Sequence, residues 1–276
     1  LVRSEKAKDD LMSFVQAHDI QDVQIVKCDY LDEQVIKELA RSCTYVLHLV
    51  GIIKENKDNR FDVVHKQTTK ALVAAIKGSD IKKCCYISIL GAKEGSENTC
   101  FSSRGLAEKL FLDSDIPSLV LQVPMVLGEG DYACEALKKN ALSRFNFTFR
   151  KLSLEQPIYA GDIIDAIKLD VSRTLKGDYS PSGIKALAGP TSLTRERLII
   201  RVAKQLGVKV KVCSIPLFLG YAFARIFEIL FSHPPITTAM LGVLDHDDDI
   251  DPLPSCNELG IKLTTLDSML ETTISP

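Results

Sequence analysis

CCYISILGAKEGSENTCFSSRGLAE, residues 84–108, is the stretch whose reading decides the fold. Cys84 to Ile89 is a short, nearly unbroken apolar run, which is how a strand reads when both faces of its sheet are covered. A glycine-containing loop follows, and then a helix whose first turns carry Ser103, Arg104 and Glu108. In an open α/β sheet, ligands bind outside the carboxyl ends of the strands, so Ser88 is expected at the mouth of a crevice. A solvated loop serine followed by a surface helix is the alternative reading of the same residues.

The flanking sequence repeats the pattern. LVR (1–3), VQIV (23–26) and TYVLHLVGI (44–52) read as strands, and helices are expected over 4–17, 32–41 and 63–78. Ser4 is a ready N-cap for the first of these. SLVLQVPMVLG (118–128) supplies a further strand, and FNFTFRKL alternates as an edge or hairpin strand would. Strand, helix and strand at this spacing are βαβ units, so the expected class is α/β, a doubly wound parallel sheet of Rossmann type. Residues 1–156 are read as that domain. Residues 157–276 are read as a mixed region containing a returning strand (185–190) and a smaller, mostly helical lid.

The chain has 276 residues, 46% of them hydrophobic and 25% charged, with a net charge of −2. That composition is ordinary for a globular protein, and it lacks the basic excess of a nucleic-acid binder. The eight cysteines are scattered and show no spaced zinc pairs, so buried thiols are expected. Cys84 and Cys85 are adjacent on a strand and must point to opposite faces. The acidic run DHDDDID (245–251) lacks the glycine and closing glutamate of a calcium loop and reads as a solvated loop, not a metal site. The charged start LVRSEKAKDD has no signal-peptide core. IPLFLGYAFARIFEILF (215–231) approaches spanning length, but Arg225 and Glu228 fall near its middle and each costs a few kcal/mol at a bilayer centre. A packed or interfacial helix is therefore expected, with Arg225 and Glu228 spaced to pair on one face.

Short motifs in this order resemble the extended or atypical short-chain dehydrogenases/reductases, in the branch typified by the NAD(P)H-binding accessory subunit of respiratory complex I and its bacterial relatives. The matching pieces are LVRSEKA (1–7), CDYLD (28–32), YVLHLVGI (45–52), VVHKQTTKALVAA (63–75), YISILGA (86–92), SRGLAE (103–108), MVLGEGD (125–131), PIYAGDIIDAI (157–167), ALAGP (186–190) and ELGIKLTTL (258–266). Each is weak alone, and their collinearity from end to end carries the resemblance. The resemblance implies a first strand, a Gly-rich turn and a helix that are absent here, so the sequence reads as an N-terminally incomplete copy of a longer protein.

The resemblance also implies site residues. Arg3 stands where the family sets an arginine against the 2′-phosphate of NADPH, which favours NADP(H) over NAD(H). Asp29 and Tyr30 fall on the adenine loop, Leu49, Val50 and Gly51 at the strand end beside the nicotinamide ribose, and His65 near the cofactor. For catalysis the family uses a serine, here Ser88, with a tyrosine and a lysine. The tyrosine position is Cys100 and the lysine position Arg104. Arginine can hold a ribose but does not shuttle protons at neutral pH.

The expected function is thus an NAD(P)H-binding, reductase-like protein that has lost the standard relay. Its expected role is structural, regulatory or in assembly near a membrane redox complex, docked through 215–231, in a bacterial cytoplasm or an organellar matrix. An active reductase or sugar-nucleotide epimerase with a non-standard acid is the alternative.

Overall fold

The apolar runs of the first half become strands of one parallel sheet, because helices cover both of its faces. In the computed structural model, which describes residues 1–274, helix α1 (Glu5–Ala17) begins at Ser4, whose hydroxyl accepts from the Ala7 amide at 3.1 Å. Asp32 caps α2 (Glu33–Ala40), and β1 (Tyr45–His48) follows. A π-helical turn, Asp62–Gln67, runs directly into α3 (Thr68–Ile76). Next come β2 (Lys83–Ile89), α4 (Thr99–Leu112) and β3 (Ser118–Val123). The run 118–128 is not one strand: it breaks at Pro124, which has no amide for a ladder, and resumes as β4 (Val126–Leu127).

The chain continues through α5 (Tyr132–Leu142), β5 (Phe145–Phe149), β6 (Leu154–Glu155), β7 (Ile158–Tyr159) and α6 (Ala160–Leu175). Strand β8 (Gly183–Ala186) then returns to the main sheet, whose order is β1-β2-β3-β8, all parallel. The remainder is β9 (Leu193–Thr194), α7 (Arg195–Gln205), β10 (Lys211–Ile215), α8 (Leu217–Leu230), α9 (Thr238–Leu244), α10 (Leu253–Leu259) and α11 (Leu266–Thr273). The strand expected from FNFTFRKL is an edge strand, and its partner is the distant β10 in parallel rather than a hairpin arm.

Strand alternation sorts the core into two layers. Cys85, Leu119 and Leu121 pack with Ile158, Ile163 and Leu187 on one face, while Cys84, Tyr86 and Val120 pack with Ile76, Ala107 and Phe111 on the other. Cys84 and Cys85 do point to opposite faces. A third cluster, around Leu127, Leu198, Val202, Met269 and Leu270, holds α5, α7 and α11 together.

The expected strands at 1–3 and 23–26 shrink to a single parallel bridge between Val2 and Lys27, with Val2 N donating to Val26 O at 2.9 Å and Cys28 N to Val2 O at 3.0 Å. Among the described residues no strand lies between that bridge and β1. The bridge therefore has no sheet to extend, and β1 is an edge strand with Leu47 40% exposed. Helix α1 likewise buries none of its residues.

At the amino end of β2, Lys83 and Asp170 form a fully buried ion pair at 2.7 Å. Lys83 also donates to the carbonyls of Tyr179 and Pro181, each at 2.6 Å, and the Tyr45 hydroxyl donates to Asp170 at 2.7 Å. All three ammonium protons thus have acceptors, as a buried charge requires.

Candidate functional site

The carboxyl ends of β1 and β2 meet the start of α4, and this is where the sequence places its site. Asn98 fixes the helix start by accepting from the amides of Cys100 (2.9 Å) and Phe101 (3.2 Å). One turn on, Arg104 is only 7% exposed and reaches back to the sheet. Its Nη1 donates to the Ile87 carbonyl at 3.0 Å and the Tyr86 hydroxyl at 3.3 Å. The guanidinium lies against Gly51, where a Cβ would stand 2.1 Å from Nη2. The absence of a side chain at Gly51 is what lets α4 place its cation on the end of β1. Leu49, 65% exposed, and the partly exposed Val50 complete that strand end.

Below Arg104 runs a chain of buried hydrogen bonds whose protons can be assigned. The Ile52 amide must donate, so His65 Nε2 is the acceptor at 3.0 Å and Nδ1 carries the proton. Nδ1 donates to Ser103 Oγ at 2.8 Å, and Ser103 donates to the Cys100 carbonyl at 3.0 Å. His65 is thus a fixed, neutral element of the floor, set in the π-helical turn. Burial, with the Arg104 charge adding to it, pulls the His65 pKa down to about 3 and that of the neighbouring His48 to about 4. The Cys100 thiol points at the Ile52 carbonyl, 3.7 Å away, and burial pushes it up to about 11.

Ser88 faces the interior and is fully buried. Its hydroxyl donates to Glu108, four residues beyond Arg104 on α4. Gln122 on β3 donates to both oxygens of the same carboxylate, at 2.9 and 3.0 Å, and to the Ala92 carbonyl at 3.1 Å. Burial raises the Glu108 pKa against these bonds. Sequence reasoning named Ser88 but missed Glu108 as its partner and Gln122 as the second donor to that carboxyl group. Ser88 and Gln122 do stand opposite each other in register across β2 and β3.

The outer residues lie apart from this floor. Arg3 is exposed and donates to Asn59 at 2.6 Å. Asp29 accepts from the Leu31 amide at 3.0 Å, and the Tyr30 hydroxyl donates to the Leu1 carbonyl at 3.2 Å.

The acidic run 245–251 is a loop with Asp247, Asp249 and Asp251 exposed, as expected, but it is also pinned to its neighbours. Arg150 binds Asp245 and Asp247, the Leu154 amide donates to Asp247 at 2.8 Å, and Ser192 donates to the Asp248 carbonyl at 2.8 Å. His246 pairs with Asp248 at 3.1 Å, which raises its pKa, and sets its ring edge-on to Phe101. Among the described residues no group of three or more metal-type side chains comes together.

Helix α8 covers most of 215–231, and Phe223, Ile226, Ile229 and Leu230 on it are all exposed. Glu228 does not pair with Arg225 as its spacing suggested. It accepts from the Thr238 amide at 2.7 Å and so holds the start of α9. No helix among the described residues is long and apolar enough to cross a membrane.

No protein-family model matches the chain. It is 22% identical, over 94% of its own length and 68% of the relative's, to mouse (Mus musculus) NADH dehydrogenase [ubiquinone] 1 alpha subcomplex subunit 9, mitochondrial. Among solved structures it is similar to the Bordetella bronchiseptica enzyme WbmG in complex with NAD and UDP, with a TM-score of 0.66, 12% identity and coverage of 92% and 78% of the two chains. It is also similar to the dTDP-glucose 4,6-dehydratase DesIV of Streptomyces venezuelae with NAD bound, with a TM-score of 0.68, 12% identity and coverage of 96% and 82%. In fold, and in its weak sequence similarity, the chain resembles an atypical short-chain dehydrogenase/reductase built on a Rossmann-type sheet.

Proposed function

We propose that this protein binds a nicotinamide dinucleotide across the ends of β1 and β2, with NADP(H) preferred over NAD(H). In this reading the bound cofactor serves a structural, regulatory or assembly role beside a membrane redox complex. The observation that carries the reading is the placement of Arg104 on the side-chain-free backbone of Gly51, with Nε buried and without a hydrogen-bond partner. A buried donor left unmatched is costly, and this supports a reading in which a ligand brings acceptors to the guanidinium, whose Nη2 also makes no hydrogen bond among the described residues. Leu49, Val50 and Gly51 would offer backbone to the nicotinamide ribose and Arg104 its donors, while Arg3, Asp29 and Tyr30 would hold the adenosine end. Such a cofactor, when bound, supplies a hydride donor or acceptor.

The chain's own residues hold the protons of that site still. His65 stays neutral between Ile52 and Ser103, and Ser88 is committed to Glu108. Neither is free to pass a proton to a substrate. Arg104 orients without exchanging protons.

The alternative, an active reductase or sugar-nucleotide epimerase, draws its support from Cys100. Its thiol, pushed to about 11, is an acid of roughly phenolic strength, for which the ordinary pKa is about 10. Against it stands the complete burial of that thiol.

The exposed face of α8 supports docking on a membrane-embedded partner complex, in a bacterial cytoplasm or an organellar matrix. The test is titration of the full chain with NADPH and NADH, followed by cofactor fluorescence, alongside turnover assays with quinones, aldehydes and nucleotide sugars. The reading expects tighter binding of NADPH, a difference erased by Arg3→Ala, and no turnover. Turnover that disappears in Cys100→Ser would establish the alternative.

A further inference from the structure

Arg104 is a buried cation that no carboxylate of the described residues meets in a direct ion pair. Its two hydrogen-bond partners, the Tyr86 hydroxyl and the Ile87 carbonyl, are neutral. Its Nε has no partner, Nη2 makes no hydrogen bond among the described residues, and no carboxylate oxygen of those residues lies within 4.0 Å. Every titratable group facing it is uncharged or held elsewhere. His48 and His65 are pulled to low pKa, and Cys100 stays a thiol. Tyr86, whose ring centroid lies 6.0 Å from the guanidinium carbon, keeps its proton because burial raises its pKa. Glu108 is held by Ser88 and Gln122, and burial raises its pKa although the Arg104 charge acts to lower it. Glu55, near Cys100, is held by the Phe61 amide and Arg60.

A guanidinium cannot shed its charge as a lysine can, so burying one without an anion costs far more than a missed hydrogen bond. Ribose hydroxyls would answer its donors but not its charge. Gly51 leaves the face of the guanidinium toward the end of β1 clear of side chain.

We propose that the ligand of this crevice presents an anionic group, a carboxylate or a phosphate, to Arg104 above Gly51. This rests on the crevice being the dinucleotide site. It adds that the occupant at that point is an acidic small molecule or a phosphate of the dinucleotide itself, rather than a neutral carbonyl compound.

The test titrates inorganic phosphate and malonate into the full chain, with and without saturating NADPH, and reads the imidazole resonances of His48 and His65 by NMR. Anion binding cancels the field of Arg104, so both histidines should titrate at higher pH, with a saturable shift at millimolar anion. Arg104→Gln should weaken anion binding at least tenfold, and Arg104→Lys should restore part of it. The histidine readout in the unaltered protein stands even if a variant fails to fold. Shifts that persist under saturating NADPH assign the anion to a separate acidic ligand, and shifts that NADPH abolishes assign it to the dinucleotide. Both outcomes support the proposal. NADPH binding with no anion-dependent histidine shift in either arm overturns it and leaves the dinucleotide reading intact. Anion binding without NADPH binding does the reverse.

Discussion

Ser88 on β2 donates its hydroxyl hydrogen bond to Glu108 on α4, so the serine joins that strand to the helix. With Gln122 contributing from β3, three elements are fastened through one buried carboxyl group. Ser88→Ala should therefore cost about 1–3 kcal/mol of stability, the range for a buried partner left short of a hydrogen bond. It should change dinucleotide affinity by less than about threefold, roughly 0.7 kcal/mol. Urea denaturation and cofactor titration of the same variant measure both. A stable variant with lost binding would mean that Ser88 faces the ligand.

The two buried histidines set a pH dependence. His48 and His65 have folded pKa values near 4 and 3, against an ordinary value of 6.5. As pH falls below 6.5 the unfolded chain takes up these protons first, so their contribution is full above 6.5 and declines as pH drops toward 4 and then 3. His246, with a raised pKa, acts in the opposite sense, but it is partly exposed and the weaker term. The unfolding free energy from urea titration should fall between pH 7.5 and pH 5 by up to about 4 kcal/mol, about 1.4 kcal/mol per histidine for each pH unit below 6.5, offset in part by the raised Glu108 carboxyl. An unchanged free energy would show that these histidines are not held neutral.

The pair Lys83–Asp170 predicts a non-additive effect. Lys83→Met strands the Asp170 charge in the interior and should cost about 3–5 kcal/mol, whereas Lys83→Met with Asp170→Leu should recover a large part of that loss. Denaturation of the two single variants and the double variant completes the cycle. Strictly additive losses would contradict the pairing.

Much of this architecture was legible in the sequence, for a physical reason. β2 and β3 are apolar on both faces, and the cap at Ser4 acts within three residues, so the information is local. The strands read at 1–3 and 23–26 had the right composition, but a strand needs a neighbour, and only the Val2–Lys27 bridge forms. The acidic run looked solvated because its anchors are far away in the chain: Arg150 precedes Asp245 by 95 residues. Cys100 and Arg104 were placed at the site by motif order. Their burial, and the neutral proton chain through His65 and Ser103, come from packing between elements 38 residues apart.

That anchoring gives a local prediction. Arg150→Gln should release the 245–251 strap, raising amide exchange at Leu154 and over Asp245–Asp251 while the amides of β2 and β3 keep their protection. Uniform loss of protection would mean that Arg150 supports the whole fold instead.

The central claim is that Gly51 and Arg104 form the floor of a dinucleotide site, and calorimetric titration of the full chain with NADPH tests it most directly. The account predicts one saturable site per chain. Affinity should fall at least tenfold, about 1.4 kcal/mol, in Gly51→Val, whose side chain would occupy the position of the guanidinium. No heat of binding at millimolar NADPH, or equal affinity in the folded Gly51→Val variant, would contradict it.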